Sequence, residues 1–200
     1  MTSRPRFTAD ETRERILAVA EEHFRRVGYA KTAVADVAGE LGMSPANVYR
    51  FFPSKAAICE EIARRLLDSC HDILRQIAAE RTVPAEDRLA RMAMSLHQFN
   101  KAQFFDERRL YDMVEAAMTE NWHVVKGHLE ELVALFAEVI RDGMASGAFI
   151  VRDPVEAALS FKQCHASVFH PTLIAHCAHD SDLDEQTSRL TQFAIRALKA

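Results

Sequence analysis

Glycine and proline are scarce, six of each in 200 residues, and runs of β-branched residues are short. This excludes the turn-dense, alternating pattern of an all-β protein and leaves no low-complexity tract. Cysteine is sparse as well. Cys59, Cys70, Cys164 and Cys177 are widely separated and form no CxxC pair, which removes a disulfide framework or a zinc ribbon. Reduced, mostly buried thiols are expected. No apolar run approaches the ~18 to 20 uncharged residues of a membrane span. The opening Met1-Thr2-Ser3-Arg4-Pro5-Arg6 lacks the apolar stretch of a secretory signal, so the cytoplasm is the expected compartment. Also missing are the GxSxG, Walker A and GxGxxG patterns of hydrolase and nucleotide sites. No catalytic residue and no cofactor are therefore expected, with a helical enzyme as a remote alternative, because a triad assembled from distant residues escapes such a scan.

What is present is helical periodicity: apolar residues recur at three and four almost throughout. Thr8-Ala9-Asp10-Glu11 has the form of a capping box, after which Ile16, Leu17, Ala20, Phe24 and Val27 make one face of a first helix that stops at Gly28. Thr32 stands where it can cap a second, short helix, and Ser44 followed by Pro45 opens a third. Ser54 caps a long fourth helix reaching about Arg81. A fifth starts at Pro84, a sixth carries Leu110, Met113 and Ala117, and a seventh runs from about Asn121 to Ser146 before Gly147 ends it. Asp153-Pro154-Val155-Glu156 begins an eighth that should bend or end at His170-Pro171, and Asp182 with Glu185 begins a ninth. The fold class is all-α, with about nine helices.

The charge is uneven. The net charge of the chain is −4, yet residues 1–56 hold nine Lys/Arg against seven Asp/Glu and the remainder 16 against 22. A mildly basic module joined to an acidic body suits an N-terminal approach to phosphate. In that module, two short helices joined by a glycine-containing turn and braced by longer helices before and after form a helix-turn-helix, the unit that places a recognition helix in the major groove. The expected organisation is a DNA-binding domain over residues 1–56 and a helical ligand-binding and dimerisation domain over 57–200.

The run from Gly28 to Lys55, with Gly28-Tyr29, Val34 and Val37-Ala38, Leu41-Gly42-Met43-Ser44, Val48-Tyr49, Phe52 and Ser54-Lys55, closely resembles the TetR family of transcriptional regulators. A looser resemblance follows at Asp142-Gly143-Met144-Ala145-Ser146-Gly147-Ala148-Phe149 and Asp153-Pro154. By spacing, Val34, Val37, Ala38, Leu41, Val48 and Phe52 should lock the short helices together, leaving Pro45, Ala46, Asn47, Tyr49, Arg50 and Phe51 outward. Asn47 and Arg50 share a face, and an amide and a guanidinium suit adenine and guanine edges. The bland reading of that pair is an ordinary solvated helix face. The resemblance assigns Tyr49 and Lys55 to phosphates, and Thr32 and Ser44, each opening a short helix, together with Pro45 and Ala46 complete the expected DNA-binding set. Phe51 and Ala33 depart from the family, which often has a histidine or tyrosine, and a threonine or serine, at those places.

One recognition helix reads too little DNA for operator specificity, so a homodimer on a pseudo-palindromic double-stranded operator is expected. The resemblance implies that the last two helices, about 154–170 and 183–199, pair with their copies through Leu159, Val168, Leu190, Phe193 and Ala197. The alternative is that these side chains face the protomer's own core. Helices five to seven should enclose an apolar effector pocket lined by Phe99, Phe104, Leu110, Met113, Met118, Trp122 and Phe136, although such a stripe also describes plain core. The function these readings imply is a repressor released from its operator by a small, largely apolar effector. A metal- or thiol-responsive regulator is the alternative, using Cys164, His165, His170, His176, Cys177 and His179. No metal site is expected there, because histidines at i and i+5 diverge around a helix and no HExxH or CxxC framework is present.

Overall fold

The structure is a computed structural model that describes residues 7–104, 122–151, 153–177 and 182–199. Among these residues it is all-helical, as expected, with ten helices: α1 (Ala9–Val27), α2 (Val34–Glu40), α3 (Pro45–Tyr49), α4 (Lys55–Ala79), α5 (Ala85–Phe104), α6 (Trp122–Ala145), α7 (Pro154–Cys164), α8 (Ala166–Phe169), α9 (Pro171–Cys177) and α10 (Leu183–Lys199). The expected sixth helix, with Leu110, Met113 and Ala117, lies outside the described residues. No described helix is long and apolar enough to cross a membrane. Two compact units form. Of the described residues, one holds 7–65 and 122–124, and the other holds 66–104 and 125–199.

The first unit follows its local signals closely. Thr8 Oγ1 accepts from Glu11 N at 3.2 Å while Glu11 Oε2 accepts from Thr8 N at 2.7 Å, the reciprocal bonds of a capping box. α1 ends where Gly28 takes φ 100° and its N–H donates to Phe24 O. A positive φ there costs glycine nothing. Ile16, Leu17, Ala20 and Phe24 of α1 are buried, together with Val34, Val37 and Ala38 of α2, Val48 of α3 and Phe52 after it. Full burial of each larger side chain contributes roughly 1.5–3 kcal/mol.

In the second unit α10 packs along α5 and against α7, with one core running from Leu74 and Leu89 through Phe136, Phe161 and Val168 to Leu198. Arg88 of α5 is buried; its Nη1 donates to Ala78 O at 2.6 Å, near the end of α4, and to Asp142 Oδ2 of α6 at 3.0 Å. One guanidinium thus ties three helices. Asp153 caps α7 by accepting from Val155 N and Glu156 N, with Pro154 at the first helical position.

The eighth expected helix breaks earlier than the proline predicts. His165 Nδ1 donates to Phe161 O at 2.7 Å, taking the carbonyl that the backbone N–H of His165 would reach in a continuing helix, and that N–H turns to Lys162 O at 3.2 Å. The buried ring lies between Phe161 and Phe169 at centroid distances of 4.5 and 4.9 Å, with Nε2 2.9 Å from Thr191 Oγ1. His170 then adopts an extended ψ of 123° before Pro171, so the second break falls where the proline puts it.

Gly143 sits beneath the buried Phe149 ring, where an added Cβ would meet Phe149 Cδ2 at 2.1 Å; Gly127, also in α6, has nothing within 4 Å. Gly143→Ala should therefore destabilise by about 1–3 kcal/mol despite alanine's helix preference. Gly127→Ala should stabilise by about 0.5–1 kcal/mol. Urea unfolding followed by circular dichroism measures both, and equal shifts of the two midpoints would contradict this packing.

Burial lowers the pKa of His165, of His71 and, to about 3, of His128, whose Nδ1 lies 2.8 Å from His71 Nε2. As pH falls through about 6.5 the unfolded chain takes up these protons first, so the stability they contribute is complete above that pH and is lost below it. His165→Phe, which keeps the ring stack, should show a shallower fall in unfolding free energy from pH 7.5 to 5.5 than the wild type. Identical slopes would mean that His165 does not stay neutral.

Candidate nucleic-acid interface

α3 has five residues and α2 seven, too short to persist alone in water. Their geometry comes from what grips their ends. Gly42 (φ 64°) turns the chain, and Met43 N donates to Ala38 O at 2.8 Å. Ser44 Oγ accepts from Asn47 N at 3.3 Å, with Pro45 at the first helical position. At the other end Arg13 of α1 donates from Nη1 to Phe51 O at 3.1 Å and lies 4.2 Å over the Phe52 ring. Arg13 was not among the expected site residues; no local pattern marks a guanidinium 38 positions away as the C-terminal clasp of α3.

With Val48 and Phe52 turned inward, Ser44, Pro45, Ala46, Tyr49 and Arg50 are exposed, and Asn47 and Phe51 are half-buried. Among the described residues, no hydrogen bond or ion pair occupies the Asn47 amide, the Tyr49 hydroxyl or the Arg50 guanidinium. A carboxylate-rich belt lies elsewhere in the unit. Arg65 grips Glu14 with two bonds of 2.6 Å and reaches Glu61 at 3.1 Å, and His23 Nε2 lies 2.7 Å from Glu40 Oε2. The bonds from Arg65 hold the Glu14 carboxyl below its ordinary pKa. The Arg65 guanidinium offsets the charge of Glu14, which lowers its repulsion of an approaching polyanion.

Two expected contact residues are placed differently from the rest. Thr32 is buried, its Oγ1 donating to Gly28 O at 2.9 Å, and it does not cap α2. Ala33 occupies that position, and its N–H donates to Asp36 Oδ2 at 2.9 Å. Lys55 points at the α1–α2 loop: its Nζ donates to Tyr29 O at 2.8 Å, Thr32 O at 3.1 Å and Ala30 O at 3.5 Å.

In the second unit, a groove of about 370 Å³ runs between α7 and α10, lined by Ile150, Ala157, Phe161, Ala194, Ala197 and Leu198 among others. Leu159 and Phe193 are exposed at 39% and 67%, Ala197 is exposed, and Leu190 is half-buried. Val168 is fully buried in the protomer's own core. Of the expected pocket residues, Phe136 is a core side chain stacked with Phe169 and tilted against Phe161, and Phe99 packs half-buried against that core. Leu110, Met113, Met118 and the side chains of Phe104 and Trp122 lie outside the described residues. So do His179 and the side chains of His176 and Cys177. Cys164 is exposed and His165 is buried, and among the described residues no three histidine, cysteine or acidic side chains gather to hold a metal.

An exposed short helix braced across a glycine turn by a second, with longer helices before and after, defines the class: a helix-turn-helix DNA-binding regulator. Residues 16–62 match the family model described as bacterial regulatory proteins, tetR family, and residues 85–191 match the tetracyclin repressor-like C-terminal domain. The chain belongs to the TetR family. It is 38% identical over 72 residues, 36% of its length, to the HTH-type transcriptional regulator TtgR of Pseudomonas putida. It is 24% identical over 143 residues, covering 68% of this chain and 67% of the relative, to the HTH-type transcriptional repressor KstR2 of Mycolicibacterium smegmatis. The matches to TtgR and to ArpR, also of Pseudomonas putida, span 32% and 40% of those proteins' own length. Among solved structures, FadR from Bacillus subtilis in complex with stearoyl-CoA superposes with a TM-score of 0.67 at 15% identity, covering 91% of this chain and 97% of that one.

Proposed function

We propose that the protein is a cytoplasmic, homodimeric repressor that reads a pseudo-palindromic double-stranded operator and is released by a small, largely apolar effector. The observation that carries this reading is the face formed by Ser44, Pro45, Ala46, Asn47, Tyr49 and Arg50, exposed except for a half-buried Asn47, with its amide, phenol and guanidinium engaged by no other described residue. Asn47 and Arg50 are the base readers, and Tyr49 with Ser44 positions the backbone, while Pro45 and Ala46 allow close approach. Residues 1–56 form the DNA-binding domain and 57–200 the effector-binding and dimerisation domain. No catalytic role is assigned, and no cofactor.

The groove between α7 and α10, with Phe193 and Leu159 beside it, supports a dimer made from those two helices, and Val168 is no part of it. The repressor sign is supported by the likeness to KstR2, and the effector by FadR's stearoyl-CoA complex, in which the same fold carries a small ligand. Coupling requires the effector to prefer a conformation that binds DNA poorly, by about 1–3 kcal/mol or more. It passes along α4, which begins beside the helix-turn-helix and continues into the second unit.

Arg50→Ala should cost about 1–3 kcal/mol on an operator selected from random duplexes while changing binding to random DNA little. Fluorescence anisotropy on both DNAs decides it, and full retention of operator preference would remove Arg50 as a base reader. Phe193→Glu should sediment as a folded monomer, because it puts a charge in a desolvated interface. A folded Phe193→Glu dimer would place the interface elsewhere.

A further inference from the structure

The loop between α1 and α2 presents carbonyls that no helix satisfies. Gly28 O takes the Thr32 N–H at 3.2 Å and the Thr32 hydroxyl at 2.9 Å. The carbonyls of Tyr29, Ala30 and Thr32 converge on one ammonium, Lys55 Nζ, at 2.8, 3.5 and 3.1 Å. The same nitrogen lies 4.3 Å over the buried Tyr29 ring, which is itself packed edge-on against Phe24. A lysine ammonium has three N–H donors and no more. Here they face three carbonyls of the protein itself, and the ammonium also lies near the face of the Tyr29 ring.

We infer that Lys55 is a positioning residue for DNA binding, setting the α1–α2 loop and through it α2 and α3, and that it makes no directed contact with phosphate. Charge-assisted bonds to carbonyls are among the stronger hydrogen bonds available, and a phosphate contact would take the ammonium away from Thr32 O and from Tyr29 O, which also accepts the Thr32 N–H at 3.3 Å. Lys55 begins α4 while the loop leads directly into α2, so the ammonium links the start of one helix to the start of another. The five-residue α3 packs on α2 and inherits that placement. This inference rests on the DNA-binding reading for its functional consequence, and on the carbonyl cage alone for its structural one.

The test compares full-length wild type, Lys55→Met and Lys55→Arg by fluorescence anisotropy across a salt series, on random duplex and on a duplex selected by the wild type. A lost phosphate contact lowers the salt slope by about one ion. Lys55→Met should instead keep the wild-type slope on random duplex and lose roughly tenfold or more in operator affinity, the scale of a charged hydrogen bond. Lys55→Arg, which retains charge and donors for the carbonyls, should recover much of that loss. A slope reduced by about one ion with operator preference intact would overturn the inference, and so would a Lys55→Met protein indistinguishable from wild type. A second measurement needs no variant. In the wild-type protein the Lys55 ammonium should give a resolved 15N resonance protected from solvent exchange, unmoved when random duplex is added. Rapid exchange in the DNA-less protein would show that the cage does not form, whatever the protein's function. Absence of DNA binding by wild type with a protected ammonium would instead sink the regulator reading and spare the cage.

Discussion

A five-residue helix cannot hold itself in water, because forming its first turn costs more than one hydrogen bond returns. Whatever α3 does therefore depends on the groups fastened to its ends. Ser44 and Pro45 set its start, Arg13 takes the Phe51 carbonyl after its end, and Val48 and Phe52 bury its inner face. α2 depends in the same way on the loop before it, where Lys55 gathers three carbonyls. Two cations within the basic module are thereby used internally. The outward face keeps the polar groups of Asn47, Tyr49 and Arg50 unspent, the condition that the proposed reading of DNA requires.

Local chemistry in the sequence was enough to locate most helix starts. Thr8 with Glu11, Ser44 with Pro45, and Asp153 with Pro154 each act within three residues of themselves, and all three caps form as their spacing implies. Interactions across long separations were not legible. The Arg13 to Phe51 bond and the three bonds from Lys55 join residues 23 or more apart, and nothing in a lysine's neighbours says whether its ammonium meets a phosphate or a carbonyl. Thr32 was misread for a related reason: its hydroxyl turns back to Gly28 O, a bond as local as a cap but opposite in direction.

His165 shows the same limit in the second unit. Proline announces a helix break, whereas a histidine does so only when its ring captures the carbonyl one turn back, as Phe161 O is captured here. Val168, three residues past the break, is buried in the core, while Leu159 and Phe193 are exposed, Phe193 lining the groove between α7 and α10. The TetR-family C-terminal match over residues 85–191 contains the break and Leu159 and ends before Phe193.

The central claim is that the face Ser44–Arg50 enters the major groove of two half-sites related by a protein two-fold. The most direct measurement is guanine N7 methylation interference on duplexes selected from random DNA by the full-length chain, since N7 lies in the major groove. The account predicts two symmetric clusters of interference about one helical turn apart, or a whole number of turns. A single cluster, or interference confined to adenine N3 in the minor groove, would contradict it.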